Sequence, residues 1–283
     1  MLGYCLEFLE IYVMAKSQTP VTHGLKNNRQ IPYLSIVIPT LNEEGFIGDL
    51  LHEILAQDMN YEIIVSDSGS TDRTEEIVRT FAGMYPGKSI RFIPAPIKGV
   101  SIARNNGAAH ANADYIAFLD ADTRIPTNFL SNAYLEIKRR DLDGAGCHLE
   151  PNSEKLVDKA VFSFYHHCIL NPLQYTKRPG SAGAGIIVKR SVHKAIGGFN
   201  PTLPTCEDLD YIKKISEVGK FRMLKTTNII FNTRRFDEEG RARVWFKYAV
   251  WGSCYLLNIK RVKFEYEFGK FTGDKNNDII FRR

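Results

Sequence analysis

Short apolar runs alternate along the first half of this chain with segments in which apolar residues recur at helical spacing. The runs lie at 34–39, 61–65, 90–93 and 115–119, and uninterrupted runs of this length predict buried parallel strands. Between the strands, apolar residues at intervals of three and four predict helices, the second of which opens at Thr71. Strands that alternate with helices predict a doubly wound, parallel α/β sheet with right-handed crossovers.

Acidic residues follow three of these strands. Glu43 and Asp67 come after the first and second strands, and Asp120 and Asp122 come directly after the fourth. Each acid alone fits a turn or a helix start equally well. Because the carboxyl ends of parallel strands share one edge, however, the acids should converge, and carboxylate oxygens are good ligands for Mg²⁺ or Mn²⁺ against a diphosphate. Together they favour a site for a metal and a polyhydroxylated or amide-bearing ligand.

The second half of the chain contributes a further strand–helix pattern and a second acidic pair. A strand is expected at 144–149, an aromatic-rich helix at 155–170 and a strand at 221–231. The glycine-rich segment 180–185 would let the backbone approach a sugar closely, or is simply a flexible loop. Glu207 and Asp208 open a helix, a position where the helix dipole favours acids in any case.

Composition excludes several classes of protein. With 283 residues, 44% hydrophobic and 24% charged, the chain is globular, and its five cysteines lack the spacing of a zinc site or a disulfide framework, which suits a reducing compartment. The net charge of +5 arises in the basic tail 234–283. Its Lys and Arg side chains could simply be solvated, or they could contact anionic lipid, a phosphorylated acceptor or nucleic acid. We expect neither a signal peptide nor a membrane-spanning helix. The first strand is followed by no glycine-rich dinucleotide loop and no P-loop, which disfavours dehydrogenases and P-loop nucleotidases.

Four blocks of sequence, in order, resemble the family-2 inverting glycosyltransferases with the GT-A fold. The blocks are Ser35-Ile-Val-Ile-Pro-Thr-Leu-Asn-Glu-Glu44, Val65-Ser-Asp-Ser-Gly-Ser-Thr-Asp72, Ala103-Arg-Asn-Asn-Gly107 and Phe118-Leu-Asp-Ala-Asp122. The resemblance implies a mixed, mainly parallel, doubly wound sheet flanked by helices, the nucleotide-diphospho-sugar transferase fold. It also implies a catalytic domain at 33–235, with a nucleotide-binding half (33–125) and an acceptor-binding half (126–235). An N-terminal extension (1–32) and a C-terminal basic helical extension (236–283) flank that domain.

The resemblance also implies roles for particular residues. Those expected at the nucleotide are Pro39, Leu41, Glu43, Asp67, Arg104, Asp120 and Ala121. Asp122, with Asp120, would hold Mn²⁺ or Mg²⁺. In the catalytic pair, Asp208 would be the general base, and Glu207 would raise its pKa or bind an acceptor hydroxyl. Arg234 and Arg235 would close over the diphosphate, a task that suits guanidinium.

The segment 241–260 predicts an amphipathic helix that suits either a membrane interface or packing on its own domain or a dimer partner. Its stripe is Val244, Tyr248, Trp251 and Tyr255, and basic residues follow up to Lys263. After Asp122 the chain reads Thr-Arg-Ile-Pro126, unlike the dolichyl-phosphate sugar transferases, which disfavours a polyprenyl monophosphate acceptor. The Gln-x-x-Arg-Trp motif of processive synthases is missing as well.

The predicted protein is therefore a metal-dependent inverting hexosyltransferase that moves one sugar from a UDP- or GDP-linked donor to a glycan or lipid-linked acceptor. We expect a cytoplasmic location, at the inner face of the cell membrane if 241–263 contacts lipid, and no nucleic-acid partner. Two alternatives stay open at this point. One is a nucleotidyltransferase of similar fold, and the other is a non-catalytic module that binds a sugar nucleotide or a glycan.

Overall fold

The computed structural model describes residues 31–256, apart from 177, 182, 204, 234, 235 and 238 and the side chains of 251, 252, 254 and 256. The strands are β1 (Leu34–Thr40), β2 (Tyr61–Asp67), β3 (Ser89–Pro94), β4 (Tyr115–Phe118), β5 (Gly144–Pro151), β6 (Ile186–Lys189) and β7 (Phe221–Phe231). The helices are α1 (Ile47–Leu55), α2 (Thr74–Met84), α3 (Val100–Ala109), α4 (Phe129–Arg140), α5 (Leu156–Phe164), α6 (Arg190–Ala195), α7 (Glu207–Val218) and α8 (Arg241–Leu256). Helix α5 continues as a π-helix, Tyr165–Leu170, and a last α-helical turn, Asn171–Leu173. Residues 1–30 of the predicted N-terminal extension (1–32) and residues 257–283 of the predicted C-terminal extension (236–283) lie outside the described residues.

The strands form one sheet in the order β3-β2-β1-β4-β6-β5-β7. Strands β3, β2, β1 and β4 pair in parallel, whereas β6 runs antiparallel to both β4 and β5. Strand β7 pairs in parallel with β5. The sheet is therefore mixed but mainly parallel, and the predicted fold class is confirmed.

Two layers of apolar side chains cover the two faces of this sheet. Ile36 and Ile38 of β1 pack into one layer with α1 and α4, and Val37 between them packs into the other with α3 and α7. Alternate residues of a strand point to opposite faces, so a strand that is buried on both faces must be apolar throughout. This is why the strands read as continuous apolar runs in the sequence.

Helix α2 begins three residues later than the sequence suggests, at Thr74 rather than at Thr71. The carboxylate of Asp72 accepts hydrogen bonds from the amide and the hydroxyl of Thr74, at 3.0 and 2.6 Å. Asp72 also accepts a hydrogen bond from the amide of Glu44. The first residues of the expected helix therefore form a loop that holds the segment after β1 in place.

Helix α8 packs on α5 through its aromatic residues. Val244 and Phe236 are buried, and the Trp245 ring lies 5.2 Å from that of Phe162 and 5.4 Å from that of Phe236. The ring of Tyr248 lies 6.1 Å from that of Phe236. Part of the predicted amphipathic stripe therefore faces the domain itself. None of the described helices is long and apolar enough to span a bilayer.

Candidate active site

The loops after β1 and β2 are tied together at the carboxyl edge of the sheet. Asp67 is buried and accepts four hydrogen bonds, from the hydroxyls of Thr40 and Ser70 and from the amides of Gly69 and Ser70, at 2.5 to 2.9 Å. The Ser70 hydroxyl also accepts a hydrogen bond from the amide of Asn42. Asp67 therefore fixes the shape of this loop, and its contact with a nucleotide stays a prediction.

Three other residues expected at the nucleotide are buried in or beside β1. Pro39 is the sixth residue of that strand, and Leu41 and Glu43 follow it with little exposure to solvent. The amide of Glu43 donates a hydrogen bond to the Thr74 hydroxyl at 2.9 Å, which joins this loop to α2. The structure places all three residues at the expected edge of the sheet.

Arg104 of α3 joins two parts of the site that are far apart in sequence. Its side chain is 3% exposed, and its Nη2 and Nη1 atoms lie 2.9 Å from Asp120 Oδ1 and from Glu207 Oε1. Although burial alone would lower the pKa of Arg104, the negative charges of Asp120 and Glu207 raise it. The guanidinium also lies 5.1 Å from the centre of the Phe199 ring. One buried cation thus holds the loop after β4 against the start of α7.

A pair of hydrogen bonds beside Arg104 fixes the position of Phe199. The side-chain amide of Asn105 donates to the Phe199 carbonyl and accepts from the Phe199 amide, both at 2.8 Å. The Phe199 ring stacks on that of Tyr211, with ring centres 3.8 Å apart. Sequence reasoning missed this role of Phe199. The signals available were that Phe199 lies eight residues before Glu207 and that Asn105 directly follows Arg104 in the block 103–107.

Asp208 lies beside this ion-pair cluster and has the perturbed pKa of a candidate base. Burial, and then the charge of Glu207, raise its pKa from 3.8 to about 7, although Arg104 opposes the rise. Its Oδ1 accepts a hydrogen bond from the amide of Leu209 at 2.8 Å. A carboxyl group whose pKa is raised to near neutral pH is a candidate for proton transfer.

The glycine-rich segment lies against the candidate base. A Cβ atom at Gly183 would lie 3.3 Å from both Arg104 Nη2 and Asp208 Oδ2, closer than most such contacts in proteins. Gly185, with φ of +88°, is in the left-handed region that favours glycine, and a Cβ there would collide with Ile229 of β7. Gly183 and Gly185 therefore allow close packing of protein side chains at the site, and an approach of this backbone to a sugar stays a prediction.

The loop 119–126 carries the predicted metal ligands. Asp120 is 33% exposed, Asp122 is partly buried and Ala121 between them is buried. The loop is anchored on both sides, because the Thr123 amide donates to the Asp120 carbonyl and Arg124 exchanges two backbone hydrogen bonds with Ile230. Among the described residues, no group of three or more His, Cys, Asp or Glu side chains forms a ready-made metal site. Arg234 and Arg235 lie outside the described residues.

Two tyrosines, Tyr165 and Tyr255, lie close enough to Asp208 for its charge to affect them. Burial, and then the charge of Asp208, raise the pKa of Tyr165, in the π-helix, to about 12. The hydroxyl of Tyr255, on α8, donates to the carbonyl of Pro179 at 2.9 Å. Helix α8 thereby contacts the segment that leads into the glycine-rich loop.

The fold is that of the GT-A glycosyltransferases. One similar structure is the mannosyltransferase PcManGT from Pyrobaculum calidifontis, in complex with GDP-Man and Mn²⁺, with a TM-score of 0.59, 21% identity and coverage of 79% of this chain and 64% of that one. Another is S. aureus TarS in complex with UDP-GlcNAc, with a TM-score of 0.57, 21% identity and coverage of 70% and 58%. At these identities the likeness establishes the fold.

The family follows from the sequence. The model of glycosyl transferase family 2 matches residues 35–197, more than half of the chain, and the protein belongs to that family. Glycosyltransferase AglE from Haloferax volcanii is 27% identical over 195 residues, which are 67% of this chain and 63% of the relative. The uncharacterized glycosyltransferase EpsJ from Bacillus subtilis is 34% identical over 118 residues, 41% of this chain and 34% of the relative. The chain thus spans less than two thirds of the length of these relatives.

Proposed function

We propose that this protein is an inverting glycosyltransferase that moves one sugar from a nucleotide-diphosphate sugar to an acceptor hydroxyl. The observation that carries the proposal is the cluster in which Arg104 holds Asp120 against Glu207, with Asp208 beside them. This cluster lies at the edge where open α/β sheets bind their ligands, which supports the proposal that Asp120 serves the donor and that Asp208, with its raised pKa, serves as the base.

The donor half would bind the nucleotide at the loops after β1 and β2 and the diphosphate at the loop after β4. Carboxylates at Asp120 and Asp122 fit Mg²⁺ or Mn²⁺, because such ions are commonly held by one or two carboxylates together with substrate phosphates. The bound ion would neutralise charge on the departing diphosphate, and Arg234 or Arg235 would add to that effect.

The acceptor half would supply the base. Asp208 takes the proton of the acceptor hydroxyl, the oxygen attacks the anomeric carbon, and the bond from that carbon to the diphosphate oxygen breaks. The nucleoside diphosphate leaves with the bonding electron pair, and the configuration at the anomeric carbon inverts. A base with a pKa of about 7 is well matched to this transfer, because at neutral pH a large fraction of it is ionised while it still holds a proton strongly.

A thermal-shift screen with UDP, GDP, dTDP and CDP, each with and without Mn²⁺, tests the donor half. A ligand at 100 times its Kd stabilises the folded state by about 2.7 kcal/mol. We expect one nucleotide to stabilise the wild type only with metal, and Asp122→Asn to abolish that effect. Asp58→Asn, at an exposed acid outside the site, is the matched control and should behave as wild type. No shift with any nucleotide would refute the proposal.

The stereochemistry has its own test. With the donor identified, proton NMR of the first product formed reports the anomeric configuration directly. Inversion relative to the donor supports direct displacement with Asp208 as base. Retention would refute that mechanism while leaving the donor class intact.

We also propose that the exposed face of α8 contacts a membrane surface that carries a lipid-linked acceptor. Phe246 is 64% exposed and Arg243 is exposed one turn before it, an apolar and cationic pair that suits the interface of an anionic bilayer. Flotation with vesicles that contain phosphatidylglycerol should recover the wild type and lose Phe246→Ser. Light scattering that instead shows a dimer disrupted by Phe246→Ser would assign this face to a second copy of the chain.

A further inference from the structure

A cavity of about 370 Å³ lies at the edge of the sheet opposite the candidate active site. The cavity lies beside Tyr115, where β4 begins, and Lys189, where β6 ends. These two residues are paired in the sheet, because β4 and β6 are antiparallel. The last turn of α4 and the first turns of α6 form its other walls. Strand β4 runs from the cavity towards Asp120, so the length of this strand separates the cavity from the candidate active site. Its volume is within the range of sites for small molecules.

The lining of this cavity has an excess of positive charge. Four cationic side chains contribute, Lys138, Lys189, Arg190 and Lys194, against one carboxylate, Asp114. The Lys189 amino group is neutralised by Asp143, at 2.8 Å. Within the part of the chain that the structure describes, the other three cations have no carboxylate within ion-pair distance. With Lys189 paired, Lys138, Arg190 and Lys194 share the cavity with a single carboxylate, that of Asp114, so the lining keeps a net positive charge.

Helix electrostatics explains only part of this arrangement. Lys138 is in the last turn of α4, where the helix dipole favours a cation, and its amino group lies 5.8 Å from the centre of the Tyr115 ring. Lys194 is likewise in the last turn of its helix, α6, and the Arg190 guanidinium donates a hydrogen bond to the Ala111 carbonyl at 3.4 Å. None of these contacts supplies a negative charge to balance the three cations that share the cavity. Like charges repel, so their convergence costs free energy that a bound anion would recover.

We propose that this cavity binds the phosphate group of a small anion. A phosphate carries up to two negative charges on three or four oxygens, which suits several separate cations around one point. The Arg190 guanidinium suits bidentate recognition, and the lysine amino groups act as point charges. The phosphate would come either from a soluble phosphate ester or from a lipid headgroup, because both offer the same chemistry.

Isothermal titration with inorganic phosphate, in buffer with a chelator and no divalent metal, is the first arm of the test. The comparison is between the wild type and the double variant Lys138→Gln/Lys194→Gln, in which both changed side chains are exposed and folding should persist. The double variant loses the attraction between two solvent-exposed lysine amino groups and the bound phosphate, which should weaken phosphate binding by about tenfold. Lys88→Gln is the matched control, because Lys88 also lies over a tyrosine at the amino end of a strand, 4.9 Å from the Tyr61 ring centre, and it should leave the affinity unchanged.

Flotation with neutral and with phosphatidylglycerol-containing vesicles is the second arm and identifies the source of the phosphate. Phosphate binding that depends on the two lysines assigns the cavity to a soluble ester. Vesicle binding with the same dependence, without binding of free phosphate, assigns it to a headgroup. Equal behaviour of the wild type and the double variant in both arms, or no binding in either, would overturn the proposal.

Discussion

Replacement of Asp208 by asparagine should stabilise the protein at pH 8 while it removes activity. The carboxylate must lose its proton in a site where burial and Glu207 both disfavour the charge. Asparagine has the same shape, keeps an oxygen that can accept the Leu209 amide hydrogen bond, and carries no charge. A functional site that is strained in this way commonly gains stability when its reactive group is neutralised.

The size of the effect follows from the pKa. A rise in pKa from 3.8 in the unfolded chain to about 7 in the folded protein corresponds to up to about 4 kcal/mol. The sign is fixed because the folded state binds this proton more tightly than the unfolded state does. The stabilising contribution is therefore complete below pH 3.8 and is lost progressively as the pH rises to 7. The variant should exceed the wild type by up to about 4 kcal/mol at pH 8 and by about 2 kcal/mol at pH 5.

Urea unfolding at pH 5 and pH 8, alongside a transfer assay with the identified donor, measures both effects. Loss of a general base should lower kcat by about 10² to 10⁴. Asp210→Asn is the matched control, because Asp210 is on the same helix and pairs with Lys214 at 2.8 Å on its partly exposed surface. It should lose at most about 0.5 kcal/mol of stability and keep its activity.

Two results would refute this reasoning. If Asp208→Asn is no more stable than the wild type at pH 8, the charged carboxylate of Asp208 does not lower the free energy of unfolding. If the difference between the two proteins is the same at both pH values, the cost does not arise from titration of this carboxyl group.

Three further substitutions test the packing and the electrostatics of the site. Gly185→Ala should lower the free energy of unfolding in urea by about 3 kcal/mol or more, because of the left-handed backbone at this position and the collision of the new Cβ with β7. Gly69→Ala is the control, since Gly69 has the same φ of +88° but open space around it, and it should lower that free energy by only about 1 to 2 kcal/mol. Equal losses in the two variants would contradict the collision. Arg104→Met leaves Asp120 and Glu207 without their shared cation. Because both carboxylates are partly exposed to water, the loss should be about 1.5 to 3 kcal/mol, and a loss below about 1 kcal/mol would show that the ion pairs contribute little. Glu207→Gln should move the rise of kcat/KM with pH to lower pH, because it removes a charge that raises the pKa of Asp208, and an unmoved profile would mean that another group limits the reaction.

The strands were the most predictable part of the fold. Strand β3 was predicted at 90–93 and is observed at Ser89–Pro94, and β7 was predicted with its observed ends, Phe221 and Phe231. Continuous apolar runs were most informative for β1, β2 and β4, because every residue of these three strands is buried. The start of α2 was less predictable, because Asp72 stabilises a loop conformation that competes with the first helical turn.

The candidate site was predictable in its members and not in its contacts. The acids at the strand ends were expected to converge because parallel strands share an edge, and Asp67 and Asp120 do lie at that edge. That Arg104 would hold Asp120 and Glu207 together could not be predicted, because Glu207 is 103 residues away along the chain and no local pattern encodes that pairing. The sequence identified the residue types, and only the packing of α3 against α7 specifies the partners.

The position of Arg104 couples the binding of a cation at Asp120 to the proton affinity of Asp208. A cation that binds Asp120 would compete with the Arg104 guanidinium for the same carboxylate and leave more of its positive charge for Glu207 and Asp208. Occupancy of one half of the site would thereby lower the proton affinity of the other half. By thermodynamic reciprocity, deprotonation of Asp208 would strengthen the hold of Arg104 on the catalytic pair and leave Asp120 more available to the cation. If Asp120 serves the donor and Asp208 the acceptor, as proposed, the two halves of the site are not independent, and the affinity for the donor should depend on pH even though no donor atom titrates in that range.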